Sequence, residues 1–238
     1  MRLVTYNIHK GIGGTDRRYD LARIQAVLAE CRPDLVCLQE VAFGMPRLKA
    51  HDQAHLLAEG LPELTPFFQP TVHWKKGGGY GNLMLSRWPL AEPHRISLRQ
   101  GQKKIRGAQC ALVETPQGTL RLANWHLGLS EGERQWQAAH LLAHEVWRHS
   151  AQWPTVLIGD TNDWRNQLGA KILGPHGLHQ ASAPPSRFRS FPAQMPVLSI
   201  DKVFHCPGVV VRNLHVVATK LSRQASDHLP VMVELGLG

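Results

Sequence analysis

The sequence predicts an α/β protein built on mixed sheets. Three observations point there. Strand-like and helix-like segments alternate from the first residue. Four strand-like segments joined by short turns sit in the middle of the chain. The composition, 43% hydrophobic and 19% charged over 238 residues, suits one substantial domain spanning 1–238 and excludes a mainly disordered chain.

In chain order, residues 2–9 read as a strand. Asp20 is placed to cap a helix over 21–31, where Leu21, Ile24, Leu28 and Cys31 keep helical spacing. Pro33 ends it, and residues 34–38 form a short buried strand. A second helix is predicted over 51–59. Residues 80–87, 94–99, 107–115 and 119–127 read as a meander. A helix follows over 131–149, with Trp136, Ala139, Ala143 and Trp147 on one face, then a buried strand at 154–158 and a helix near 166–173. Strands near 199–204, 209–217 and 230–235 complete the pattern. The stretch 181–197, rich in Pro, Ser and Arg, reads as a long surface loop. There is no internal repeat and no low-complexity tract.

The charge is lopsided: 27 Lys and Arg against 18 Asp and Glu, a net +9, with a pI near 9.8. Such a field favours a polyanionic partner: nucleic acid, an anionic membrane surface or a phosphorylated small molecule. Cys31, Cys37, Cys110 and Cys206 form no CxxC pair and read as free thiols. No stretch approaches the roughly 20 apolar residues of a membrane-spanning helix. Met1 leads straight into a strand, without the pattern of a secretory signal, so a cytoplasmic protein is expected, and a monomer.

The informative feature is what ends the strands. The first finishes in Asn7-Ile8-His9-Lys10-Gly11, the second in Gln39-Glu40, the strand at 119–126 in Asn124-Trp125-His126, and the strand at 154–158 in Gly159-Asp160-Thr161-Asn162. Asp201 lies in an apolar strand, and Ser226-Asp227-His228 precedes the last one. Ligand sites of α/β sheets gather outside strand ends. Singly each residue has an ordinary explanation: a turn former at Asn7, a helix cap at Glu40, loop caps at Asp160 and Asn162, a core histidine at His126. Asp201 is harder to dismiss, because a carboxylate in an apolar strand needs a partner, and the imidazole of His228 would suit it.

These segments, with Asp34-Leu35-Val36-Cys37-Leu38-Gln39-Glu40, Tyr80-Gly81-Asn82-Leu83-Met84-Leu85-Ser86-Arg87, Ile200-Asp201-Lys202-Val203 and Ser226-Asp227-His228-Leu229-Pro230, occur in one order along nearly the whole chain. In that order they resemble the endonuclease/exonuclease/phosphatase superfamily, which includes deoxyribonuclease I-like and exonuclease III-like enzymes. The resemblance implies a four-layer α/β sandwich of two packed mixed sheets flanked by helices, and hydrolysis of phosphoesters with a divalent metal. It implies that Asn7 and Glu40 place the metal and that Asp227 helps bind it. It makes Asp160 and Asn162 the pair that holds water and scissile phosphate, and Asp201 and His228 the acid–histidine pair. His126 falls where the deoxyribonuclease branch has His, and Arg106 where an arginine contacts phosphate. His9 stands where the abasic-site branch has an acid, which argues against a dedicated abasic-site enzyme.

The implied chemistry is coherent. A phosphodiester repels hydroxide, so cleavage needs neutralised oxygens, an aligned water and a stabilised leaving group. The oxygen ligands suit Mg²⁺, with Mn²⁺ as a substitute, better than Zn²⁺. Either Asp160 or His228 is the base. The first substrate expectation is DNA, with RNA open. It is supported by Lys75 and Lys76 beside Trp74 and Tyr80, by Lys103 and Lys104 before Arg106, and by Arg187-Phe188-Arg189, where Trp74, Tyr80 and Phe188 would stack on bases. Asn82 is grouped with these substrate contacts. The alternative is a phospholipid, sphingomyelin-type or small-molecule phosphodiesterase touching an anionic membrane, for which Phe67-Phe68 is the candidate apolar loop. A non-catalytic binding protein on the same fold is the least favoured reading.

Overall fold

The computed structural model describes residues 1–238. Its strands are β1 (Arg2–Asn7), β2 (Leu35–Phe43), β3 (Thr65–His73), β4 (Gly79–Ser86), β5 (Leu90–Ser97), β6 (Gly107–Thr115), β7 (Gly118–His126), β8 (Thr155–Asp160), β9 (His179–Gln180), β10 (Asp201–His205), β11 (Val209–Val216) and β12 (Val231–Leu237). The helices are α1 (Leu21–Cys31), α2 (Gln53–Glu59), α3 (Glu131–Ala143), α4 (Glu145–His149) and α5 (Lys220–Ala225).

The strands form two six-stranded sheets, ordered β11-β12-β1-β2-β4-β3 and β5-β6-β7-β8-β10-β9. Each sheet holds one parallel pair in an otherwise antiparallel ladder: β1 with β2, crossed over by α1, and β7 with β8, crossed over by α3 and α4. Alternation along β1 divides its side chains between layers. Leu3 joins Leu35, Met84, Val113, Val156, Ile158 and Val203 between the sheets. Val4, Tyr6 and Ile8 face the other way and pack with Ile24, Val27 and Leu28 of α1. On the far side Trp125, Leu157 and Phe204 pack with Leu141 and Trp147. The result is helix, sheet, sheet, helix, the four-layer sandwich expected.

Several elements differ from expectation. β3 was not foreseen, because Pro66 and Pro70 disguise it; as an edge strand it tolerates residues that donate no ladder hydrogen bond. The strand predicted at 94–99 begins earlier, at Leu90. The predicted helix over 51–59 starts at Gln53, where Asp52 accepts from His55 N. The helix over 131–149 breaks at His144, whose ψ is 138°. Its predicted inner face is also misplaced: Trp136, Ala139 and Ala143 are exposed, and only Trp147 of the four is buried. Arg134, Gln137, Ala138, Leu141 and Leu142 point inward instead. Gln137 can do so because it donates to Leu98 O at 3.0 Å and accepts from Gly128 N at 2.8 Å. A buried amide with its bonds made is invisible to hydrophobic periodicity. Near 166–173 the chain makes a wide π turn over Gly169–Leu173 in place of an α-helix. All four cysteines are free, and Asp20 caps α1 by accepting from Ala22 N.

Candidate active site

Register brings the polar strand ends to one level. Asn7 ends β1, His126 ends β7 beside Asp160 at the end of β8, and the antiparallel pairing of β10 with β8 sets Asp201 directly opposite Asp160. Gly159 makes the last step possible. Its φ is +142°, and a Cβ there would lie 2.1 Å from Trp125 O. Glu40 reaches the same end through a bulge in β2 against β4, between Leu38 and Val41, with Glu40 itself in the left-handed region at φ 58°.

Asp160 is the centre of the constellation. Its Oδ2 accepts from Asn7 Nδ2 at 2.9 Å and its Oδ1 from Asn162 N at 3.0 Å. His126 Nε2 lies 3.4 Å and His228 Nε2 3.9 Å from Asp160 Oδ2. Burial, with Asp201 nearby, outweighs His228 and these hydrogen bonds and raises the Asp160 carboxyl to about 6.

The two histidines have opposite electrostatics. Burial alone would deprotonate His228. Its Nδ1 lies 2.9 Å from Asp201 Oδ2, however, and Asp201, with Asp160 and Asp227 behind it, raises the ring to about 10. Ser190 Oγ donates to the same Asp201 oxygen, and Phe191 packs at 4.8 Å from the His228 ring. His126 is held well below the usual imidazole range by burial and by Arg106, whose Nη1 donates to His126 Nε2 at 2.8 Å. His126 is thus neutral, and with Nε2 accepting from Arg106 it is not a ready proton donor.

The other oxygen donors are Glu40, Asp227 and Asn7. Glu40 pairs with Lys10, and although burial opposes it, Lys10 and then His9 and Lys104 hold the carboxyl below its usual range, so Glu40 is ionised. Asp227 Oδ1 is 3.7 Å from His9 Nδ1. Asn7 is less free than expected, because its Oδ1 already accepts from His9 N at 3.0 Å. The donor chemistry of Glu40, Asp227 and the Asn7 amide, all oxygen, fits Mg²⁺ or Mn²⁺. Asp160, Asp201 and His228 also offer ligand atoms within 4.8 Å of one another. In that group His228 Nδ1 is already bonded to Asp201 Oδ2, which leaves Nε2 as the free nitrogen of the ring.

The remaining expected contacts divide. Arg106 is buried against His126, and its Nε has no partner. Lys75, Lys76 and Lys103 are exposed on loops at this end. The Tyr80 ring is buried between the ammonium groups of Lys10 and Lys104, 5.0 and 5.3 Å from its centroid, and so cannot stack on a base. Phe188 is buried as well. Asn82 is not a surface contact: it donates to Gly107 O at 2.9 Å and to Gln69 Oε1 at 3.3 Å. Phe67 and Phe68 lie in β3, with Phe67 buried, so they form no apolar loop.

Four participants were missed. Ser190 sits in a loop with no motif to mark it. Lys10 was visible in the sequence, but its reach to Glu40 depends on its own left-handed φ of 62°. Gln39 and Asn124 form a fully buried floor: Gln39 Nε2 donates to Asn124 Oδ1 at 2.7 Å, and Asn124 Nδ2 donates to Leu38 O at 3.1 Å and Gln109 Oε1 at 3.0 Å, tying the two sheets together.

Residues 4–228 match the model of the Endonuclease/Exonuclease/phosphatase family, and the chain belongs to that family of phosphoesterases. It is 30% identical over 259 residues to the uncharacterized protein YbhP of Escherichia coli (strain K12), covering 99% of this chain and 96% of YbhP. The crystal structure of an endonuclease/exonuclease/phosphatase from Beutenbergia cavernae DSM 12333 is similar with a TM-score of 0.82 and 26% identity, covering 100% of this chain and 72% of that one. The mannosyl-6-phosphatase of Bacteroides thetaiotaomicron VPI-5482 shares the fold at a TM-score of 0.76 and 19% identity, covering 99% of each chain.

Proposed function

We propose that the chain is a divalent-metal-dependent phosphodiester hydrolase acting on polyanionic substrates, DNA first among them. One observation carries the chemistry. A buried carboxylate, Asp160, is fixed by Asn7 and Asn162 and faces a protonated histidine, His228, held in place by Asp201.

Asp160, ionised above about pH 6, accepts the proton of the attacking water as the new P–O bond forms. His228 Nε2, still protonated, donates to the phosphate as negative charge develops on it. Asp201 and Ser190 orient that imidazolium, and the Arg106–His126 pair supplies a cationic wall for the non-bridging oxygens. Glu40, Asp227 and Asn7 would hold Mg²⁺ or Mn²⁺. When bound, the ion neutralises phosphate charge and stabilises the leaving alkoxide.

The DNA reading is supported by charge: the net +9 and the exposed Lys75, Lys76 and Lys103, with Trp74 partly exposed and one ring face covered by the Arg47 guanidinium. The burial of Tyr80 and Phe188 removes the other two expected stacking surfaces. The test is hydrolysis of bis-p-nitrophenyl phosphate and nicking of supercoiled plasmid, with Mg²⁺, Mn²⁺ or EDTA. Loss of both activities in EDTA and in Asp160→Ala supports the proposal. Undiminished hydrolysis of the small diester in either condition overturns the chemistry, and a plasmid left intact while the small diester is cleaved overturns the DNA reading.

A further inference from the structure

Three arginines are buried: Arg106, Arg121 and Arg134. Arg134 faces Asp163, and Arg106 lies beside His126 in the cleft, where a substrate phosphate would be its counter-ion. Arg121, 5% exposed, has no such partner. Its Nε donates to Thr155 Oγ1 at 2.8 Å, and its Nη1 donates to Trp147 O and, at 3.2 Å, to Ser150 Oγ. All three acceptors are neutral. Its Cζ lies 4.0 Å from the Trp147 ring centroid, which fixes the guanidinium plane without neutralising it. Burial pulls this guanidinium below its usual range, and only the thiols of Cys110 and Cys206 oppose the shift, with no carboxylate among them. A buried charge with no counter-ion is costly, and neutral acceptors offset only part of the cost. The third nitrogen, Nη2, makes no hydrogen bond within the protein.

Arg121 lines a cavity of about 610 Å³. The cavity is remote from the cleft. β7 and β8 run parallel from the Arg121–Thr155 pair to the His126–Asp160 pair, five residues further on, which is about 17 Å along the strands. Leu142, Trp147, Pro175 and Leu178 supply apolar wall, and no Asp or Glu lines the space. Arg148 and His176, both exposed, bring further nitrogen donors to it. A concave space of this size, largely apolar with a few polar groups, has the make-up of a small-molecule site.

The donors select the ligand. A phosphomonoester carries up to two charges on three terminal oxygens, enough for Arg121, Arg148 and His176 together, whereas a carboxylate has one charge on two oxygens. We infer that this cavity is a second ligand site, which binds a small organic phosphomonoester with its phosphate on Arg121 Nη2 and its apolar part against Leu142, Pro175 and Leu178. The site is separate from the catalytic cleft and stands whether or not the diester reading holds.

Cys206 reports on occupancy. It lines the same cavity, and its Sγ accepts from Thr155 N at 3.1 Å, the residue whose hydroxyl holds Arg121. The other three cysteines are buried. In EDTA, labelling of Cys206 by N-ethylmaleimide is followed by peptide mass mapping, with phenyl phosphate as the probe and benzoate and phenol for comparison. Phenyl phosphate is expected to slow labelling at least fivefold, and the other two less than twofold. Arg121→Met abolishes the protection. If that variant melts early, Arg148→Ala with His176→Ala is used in its place, and the half-protecting concentration rises at least threefold. Arg106→Met is protected as the parent is. Unslowed labelling of the parent overturns the inference, and so does equal protection by benzoate. Protection that survives both the Arg121 and the Arg148/His176 changes also overturns it. Loss of protection in Arg106→Met would put the ligand in the cleft and overturn it too.

Discussion

His228 Nδ1 lies 2.9 Å from Asp201 Oδ2, and that oxygen also accepts from Ser190 Oγ, so one buried carboxylate fixes both the orientation and the charge of the ring facing Asp160. Residues wired this way act as a unit. His228→Ala is expected to lower kcat by about 10²–10⁴-fold, and Asp201→Asn by as much or less. The double variant is then no worse than the worse single one. Steady-state kinetics on a small diester checks this, and losses that multiply would separate the pair.

The pH profile follows from the same groups. Asp160 works as the anion, so activity falls as pH drops through about 6. His228 works as the cation, so activity falls again as pH rises through about 10. The expected kcat/KM profile is a plateau between these limits, with the alkaline limb moving toward neutrality in Asp201→Asn. An unmoved alkaline limb would take His228 out of the role of donor.

Metal removal tests the proposed ion ligands. EDTA is expected to abolish hydrolysis and Mg²⁺ or Mn²⁺ to restore it, with Glu40→Gln needing far more metal. Lys10 neutralises Glu40 in the absence of a divalent ion. Lys10→Met should therefore tighten Mg²⁺ binding, read by calorimetric titration without substrate. Weaker binding would mean that the ammonium supports the site instead of competing for it.

Beneath the site, Asn124→Ala takes from the buried Gln109 Oε1 its donor, while Gln39 Nε2 keeps Thr5 Oγ1 and Cys37 O as acceptors. An unsatisfied buried polar group of this kind costs about 2–3 kcal/mol. For a chain of this size that lowers the melting midpoint by about 5–10 °C. Thermal unfolding of the variant measures it directly.

Much of the site was legible in the chain alone, because its residues stand at strand ends and strands announce themselves by local apolar runs. Asn7, Glu40, His126, Asp160, Asp201, Asp227 and His228 were all marked in that way, and the α/β class followed from the alternation of segments. Burial was not legible, because it depends on neighbours distant in sequence. Tyr80 and Phe188 look like stacking surfaces until Lys10 and Lys104 close over one and the loop folds the other inward. The inner face of α3 is polar, and only the partners Leu98 and Gly128 make that possible. Ser190 joins the Asp201–His228 pair because a loop with no pattern of its own is drawn against Asp201. Which histidine is charged was likewise decided in three dimensions. His126 and His228 are the same residue type at similar depth, and burial lowers both; at His126 Arg106 adds to that lowering, while at His228 Asp201 reverses it.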